Sequence, residues 1–151
     1  MSHQPEILYA AEVAVSGGRA GHALSSDGRL DLNLDVPTEM GGTGGSGTNP
    51  EQLFAAAYAA CFQSALLRIA SGRKLDTRGW RIVARVAIGP IKSGGFGLSA
   101  GLQLDAPGIG HDEAHDLMTR AHESCPYSRA LRGNVDVRLT VGATDVEHQT
   151  A

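Results

Sequence analysis

Thr48-Asn-Pro-Glu51-Gln-Leu-Phe-Ala-Ala-Ala-Tyr58-Ala-Ala-Cys61-Phe-Gln-Ser-Ala-Leu-Leu67 is the stretch that decides the fold. It opens with strong helix-start chemistry. Asn49 can cap the first free N–H groups, Pro50 suits the first helical position, and Glu51 favours the positive end of the helix dipole. The helix is predicted to continue to about Ser71, where Gly72 stops it. Its apolar side chains cover nearly the whole circumference, which predicts burial on all sides. From Gln52 to Leu67 the 16 residues carry no charge. That is short of the ~20 a bilayer needs, and Gln63 interrupts the run. The reading is a central core helix and no membrane span.

Outward from this helix, the flanking segments read as strands. On the N-terminal side, Ile7 to Val15 is rich in β-compatible residues, and Leu30, Leu32, Leu34 and Val36 alternate with polar neighbours. Ser26-Asp27-Gly28 supplies the turn chemistry between them. Gly41, Gly42, Gly44, Gly45 and Gly47 then break all periodicity, as in a flexible or ligand-hugging loop. On the C-terminal side, Trp80 to Ile88 and Phe96 to Leu104 alternate around a turn at Pro90 to Gly95, a second hairpin. A second helix is predicted from about His111 to Ser124, ended by Pro126. Val135, Val137, Leu139 and Val141 alternate in a last strand. Hairpins rather than crossovers argue for an α+β fold, with antiparallel sheets packed against long helices.

The chain has 151 residues, one domain's worth of protein, of which 42% are hydrophobic and 19% charged. A net charge of -3, with no local cluster of Lys and Arg, leaves no footprint for nucleic acid. The N-terminus Met-Ser-His-Gln-Pro-Glu has neither the basic start nor the apolar core of a signal peptide. The expectation is therefore a cytoplasmic protein, whose cysteines live in a reducing compartment where a purely structural disulfide is out of place.

Cys61 and Cys125 are the entire thiol inventory, 64 positions apart (125 minus 61), so only a fold can bring them together. In an apolar helix Cys61 reads either as a small hydrophobe or as a nucleophile. Burial raises a thiol's pKa, so the reactive reading requires a cation in the pocket, held by a carboxylate. Cys125, in His122-Glu-Ser-Cys125-Pro-Tyr-Ser128, stands at a helix end where the chain must turn and the sulfur can be reached. A metal site on His111, His115, His122 and Cys125 fails on distance. His111 and His122 are about 16 Å apart along a helix axis, too far to share one ion. The glycine-rich loop lacks the Gly-Lys-Ser/Thr ending of a phosphate cradle, and Glu51 would repel phosphate.

Taken together, these segments resemble the organic hydroperoxide resistance (Ohr) family of the OsmC-like superfamily. The resemblance runs from about Leu8 to Val141. It is carried by Gly17-Gly-Arg19, Ser25-Ser-Asp-Gly28, the glycine-rich stretch 41–47, Asn49-Pro-Glu51, Ala59-Ala-Cys61-Phe62, Gly94-Gly-Phe96-Gly-Leu98, Cys125-Pro-Tyr127-Ser128 and Arg132-Gly-Asn134. Arg129, Leu131 and Ala57 depart from the familiar pattern, and Arg129 could alter the pocket rim beside Cys125. The resemblance implies a thiol peroxidase that reduces organic and fatty-acid hydroperoxides, with Cys61 peroxidatic and Cys125 resolving. It implies Arg19 and Glu51 as the cation and its orienter. It further implies an intertwined homodimer and no bound cofactor, with dihydrolipoamide, commonly on lipoylated proteins, as reductant. Phe62, Phe96 and Tyr127 are the expected apolar pocket residues. A non-catalytic redox sensor or apolar-ligand carrier would share every one of these residues, and turnover separates the two. A structural domain with two inert thiols would show no fast reaction at all.

Overall fold

The computed structural model describes residues 5–142 and resolves into two compact units, Met1–Pro50 and Glu51–Ala151. In the first unit, β1 (Val13–Ser16), β2 (His22–Ser25) and β3 (Asp31–Asn33) form an antiparallel sheet in the order β1-β2-β3. Val15 pairs with Ala23, and Ala23 with Leu32. The expected turn is where its chemistry puts it, with Gly28 at φ 73°. Asp27 Oδ1 accepts from the Ser25 hydroxyl and the Arg29 N–H, at 2.6 and 3.0 Å. The strand feeding that turn, however, is β2 and not the Ile7–Val15 segment, of which only Val13 onward is strand. β2 has just two apolar residues, Ala23 and Leu24, too few to register as alternation.

The glycine-rich stretch also differs from expectation: it folds back on its own unit. A Cβ on Gly45 or Gly47 would lie 2.5 or 2.6 Å from the Asp35 carboxylate, and the Gly47 N–H donates to Asp35 Oδ2. Thr48 completes the closure, donating its N–H to Asn33 O and accepting from Asp35 N–H, both at 2.9 Å. These two glycines are required by close approach to a side chain of the chain itself.

In the second unit, α1 (Pro50–Gly72) is followed by β4 (Arg81–Pro90) and β5 (Phe96–Asp105). These two strands pair antiparallel from Pro90↔Phe96 to Arg81↔Asp105, which is the predicted hairpin. After α2 (His111–Ser124) and the short α3 (Pro126–Leu131), the chain returns as β6 (Val137–Val141). Here the all-antiparallel expectation fails, because β6 pairs parallel to β5, from Ala100↔Val137 to Leu104↔Val141. The two intervening helices form the crossover that a parallel pair requires.

The core of this unit packs one stripe of α1 (Tyr58, Phe62, Leu66 and Ala70) against Leu102 and Leu104 of β5 and against α2. Along α2, Ala114, Leu117, Met118 and Ala121 are buried at helical spacing while the rest of the helix is polar. Gln63, the polar interruption of α1, donates to the Trp80 carbonyl at 3.1 Å. Burial of α1 on all sides does not hold within the chain: Ala56 and Ala60 are exposed, and Leu53, Leu67 and Ile69 are half-buried. A single chain covers one stripe only. At 23 residues α1 is long and apolar enough to cross a membrane by length and composition, yet Tyr58, Phe62 and Leu66 lie fully buried in a protein core.

Candidate functional site

Cys61 sits in the middle of α1, and Cys125 occupies the break between α2 and α3. That break follows from Pro126. A residue before proline is pushed from helical to extended backbone, and Cys125 has φ -66° and ψ 125°. Proline is itself a favoured first helical residue, so α3 starts immediately, where Pro126 read as a terminator predicts only an end. Cys125 serves both helices: its N–H donates to Ala121 O at 2.8 Å, and its carbonyl accepts from Arg129 N–H at 3.0 Å.

The outcome is a pair of free thiols in contact. Cys125 Sγ lies 3.6 Å from Cys61 Sγ. A disulfide is about 2.05 Å long, so the sulfurs need to approach by only about 1.5 Å to bond. Their surroundings differ. Cys125 is 0% exposed, and Cys61 is half-buried. Burial pushes the Cys61 thiol up from its ordinary pKa, and the hydrogen bond and charge of Cys125 add to that push. The backbone N–H of Tyr127 opposes it by stabilising the thiolate. Within this unit the net direction is upward, the situation in which a reactive thiol needs a counter-cation.

Four aromatic rings line this region. Tyr58 meets Phe54 and Phe62 edge-on, with centroids 6.1 and 6.3 Å apart, and stacks with Tyr127 at 6.2 Å. Of the expected pocket residues, Phe62 is therefore a fully buried member of the group and Tyr127 a 39% exposed one. Phe96 stands at the tip of the β4–β5 hairpin, 71% exposed, and among the described residues makes no ring contact with that group. Glu51 lies in the first turn of α1, ten residues and about 15 Å of helix rise from Cys61. Arg19 belongs to the first unit, half-buried in a short 3-10 turn, Gly18–Ala20, that follows β1. Two left-handed glycines, Gly17 and Gly18 at φ 74° and 58°, make that tight turn before Arg19.

Tyr58 and Ser128 escape a reading of the sequence. The Tyr58 hydroxyl and the Ser128 hydroxyl share a fully buried hydrogen bond of 2.8 Å. Tyr58 is three residues before Cys61 and Ser128 three after Cys125, and that matched offset is the available signal. His122, one helical turn before Cys125, has its carbonyl bonded by Arg132 at 3.4 Å, and its buried Nδ1 has no hydrogen-bond partner among the described residues. Burial holds its imidazole below its ordinary pKa, and the Arg132 charge adds to this.

The chain matches the OsmC-like protein family model over residues 42–140. It is 49% identical to the organic hydroperoxide resistance protein of Xanthomonas axonopodis pv. citri, over 93% of this chain and 99% of that one. To the organic hydroperoxide resistance protein OhrB of Bacillus subtilis it is 44% identical, over 87% and 96% of the two chains. Among solved structures, an organic hydroperoxide resistance protein from Legionella pneumophila superimposes with a TM-score of 0.85. It is 43% identical, and the match covers 91% of this chain and 100% of that one.

Proposed function

This chain belongs to the organic hydroperoxide resistance proteins of the OsmC-like family, and we propose that it is a thiol peroxidase that reduces organic hydroperoxides to alcohols. The observation that carries this reading is the 3.6 Å contact between two free thiols that are 64 positions apart in sequence (125 minus 61). The Cys61 thiolate attacks the terminal peroxide oxygen, the O–O bond breaks, and the alcohol leaves with a proton. Cys61 is then a sulfenic acid. Cys125 attacks that sulfur, the S–O bond breaks, water leaves, and a Cys61–Cys125 disulfide remains. An external dithiol restores both thiols by exchange. Cys61 is assigned the attacking role because it is the more accessible sulfur and receives the Tyr127 N–H.

The upward push on the Cys61 pKa calls for a cation, and Arg19 is proposed to supply it, oriented by a charge-assisted pair with Glu51. Apolar walls from Phe62 and Tyr127 favour bulky organic or fatty-acid hydroperoxides over hydrogen peroxide. Phe96 is kept as a third wall residue only as part of an assembled dimer. A homodimer is itself part of the proposal. Its support is the half-covered surface of α1, together with the exposed Val13, Val15 and Leu24 of the first sheet and Ile91 and Leu98 of the hairpin. The reductant proposed is dihydrolipoamide or a lipoylated protein, in the cytoplasm.

Steady-state reduction of cumene hydroperoxide with dihydrolipoamide, thioredoxin and glutathione as alternative donors tests this reading. Continuous turnover with the dithiol dihydrolipoamide, and slow turnover with the other two, is expected. A single stoichiometric reaction that no donor renews would instead make the protein a redox sensor.

A further inference from the structure

The Cys61–Cys125 contact has a hydrogen-bonded rung beside it, between α1 and the helix that Cys125 leads into. One helical turn before Cys61 on α1, Tyr58 carries a hydroxyl into the core; one turn after Cys125, on α3, Ser128 does the same. Their 2.8 Å hydrogen bond joins two residues that are each 0% exposed. The Tyr58 ring cannot swing away, because Phe54 and Phe62 meet it edge-on and Tyr127 stacks on it. With the ring fixed, the hydroxyl holds Ser128, and with it the start of α3, at one height along α1. Cys125 precedes α3 directly, so its sulfur is set by the same bond. Buried hydroxyls are retained in a core only when both are satisfied, and removing one leaves the other with its desolvation cost.

We propose that Tyr58 and Ser128 are a positioning pair that holds Cys125 within reach of Cys61, and so sets how fast the disulfide closes after Cys61 is oxidised. This rests on the thiol-peroxidase reading for its first step, although closure itself can be driven without peroxide. Neither residue touches the reacting sulfurs through its hydroxyl; they act through the placement of Cys125. The reaction they pace is condensation of the Cys61 sulfenic acid with the Cys125 thiol, in which an S–S bond forms, the S–O bond breaks and water is released. Slow closure leaves the sulfenic acid exposed to a second hydroperoxide, which oxidises it to sulfinic acid. Burial pushes the Tyr58 phenol up from its ordinary pKa, and the nearby charges of Cys125 and Cys61 add to this against the Ser128 bond. A phenol raised above its ordinary value of about 10 is protonated at neutral pH, so Tyr58→Phe removes a hydrogen bond and no charge.

The test uses the full-length protein, with Tyr58→Phe, Ser128→Ala, the double variant and Ser128→Thr. Stopped-flow mixing with cumene hydroperoxide separates sulfenic acid formation from disulfide closure. A parallel arm oxidises the reduced protein with diamide, which takes both thiols to the disulfide while being reduced to its hydrazine. Closure about tenfold slower in each single variant is expected, the loss of one buried hydrogen bond. Sulfenic acid formation should be unchanged, and sulfinic acid should accumulate under excess peroxide. The double variant should be no slower than either single one, because the bond is shared. Ser128→Thr, which keeps the hydroxyl, should close at the wild-type rate. Unchanged closure in both single variants, or equal slowing of sulfenic acid formation and closure, would overturn the proposal. A wild-type protein inert to peroxide would refute the peroxidase reading instead, and the diamide arm would still decide the role of the pair.

Discussion

Cys61 and Cys125 touch, yet the chain holds them in different ways, and the proposed division of roles rests on that difference. Cys61 is embedded in the middle of a long helix, half-buried, with the Tyr127 N–H turned toward its sulfur. Cys125 sits at a proline-enforced break between two helices, wholly enclosed, with both backbone polar groups committed to helix ends. The first residue is partly open to solvent and the second is fully enclosed. Conversely, a helix interior resists movement, whereas a junction can shift the ~1.5 Å that bond formation needs. The proposed mechanism accordingly makes the accessible sulfur the attacker and the enclosed one at the junction its resolver.

The sharpest way to break this asymmetry is to remove one sulfur at a time. Cys61→Ser should lower peroxide reduction by on the order of a thousandfold or more, to background, since the covalent nucleophile is gone. Cys125→Ser should allow one turnover and then accumulate over-oxidised Cys61, visible by intact mass after stoichiometric peroxide. A Cys125→Ser protein that never gains oxygen on Cys61 would reverse the roles.

Smaller effects sharpen the Cys61 side. Arg19→Ala should cost about a hundredfold in rate, the scale of losing a preorganised electrostatic group. It should also leave only the Tyr127 N–H to oppose the burial-driven rise in the Cys61 pKa, so the pH midpoint of alkylation moves upward. Arg19→Lys keeps the charge but loses the planar fork, and should remain about tenfold impaired. An unchanged midpoint in Arg19→Ala removes the cation role. Glu51 stands about 15 Å along α1 from the Cys61 of its own helix, so a site that uses both is most economically shared across a two-fold dimer. Mixing inactive Cys61→Ser with inactive Glu51→Ala subunits should restore part of the activity, because one pocket of each heterodimer is intact. No recovery in verified heterodimers defeats sharing.

The smallest effect lies on the Cys125 side, at His122. Its folded-state pKa is depressed, first by burial, so the fold favours the neutral ring. The stability this contributes is complete above the unfolded pKa of about 6.5 and is lost as pH falls through the depressed value. Urea midpoints should therefore drop between about pH 7 and pH 5, and His122→Gln should flatten part of that drop.

Much of the fold is legible in the residues alone. The end of α2 follows from Pro126 and the β4–β5 hairpin from alternation, which are local signals. The start of α1 at Pro50 follows in the same way. The parallel pairing of β6 is not legible, because strand direction depends on how α2 and α3 route the chain, and alternation is blind to direction. β2 is too short to show a period, and the glycines facing Asp35 look like a ligand loop because their partner side chain lies 10 and 12 residues earlier in the chain (45 minus 35, and 47 minus 35). At the candidate site both cysteines stand out by chemistry. Tyr58 and Ser128 do not, since a tyrosine in an apolar helix and a serine after Cys-Pro-Tyr look like core and turn until the fold joins them.

The central claim is that the two thiols 3.6 Å apart form one redox unit driven by an organic hydroperoxide. It is tested most directly by peptide mapping of the fully reduced wild-type protein after one equivalent of cumene hydroperoxide, with free thiols blocked on quenching. The account predicts a single disulfide-linked species joining the peptides of Cys61 and Cys125, formed in step with release of the alcohol. Recovery of both cysteines as blocked free thiols, with the hydroperoxide unconsumed, would contradict it.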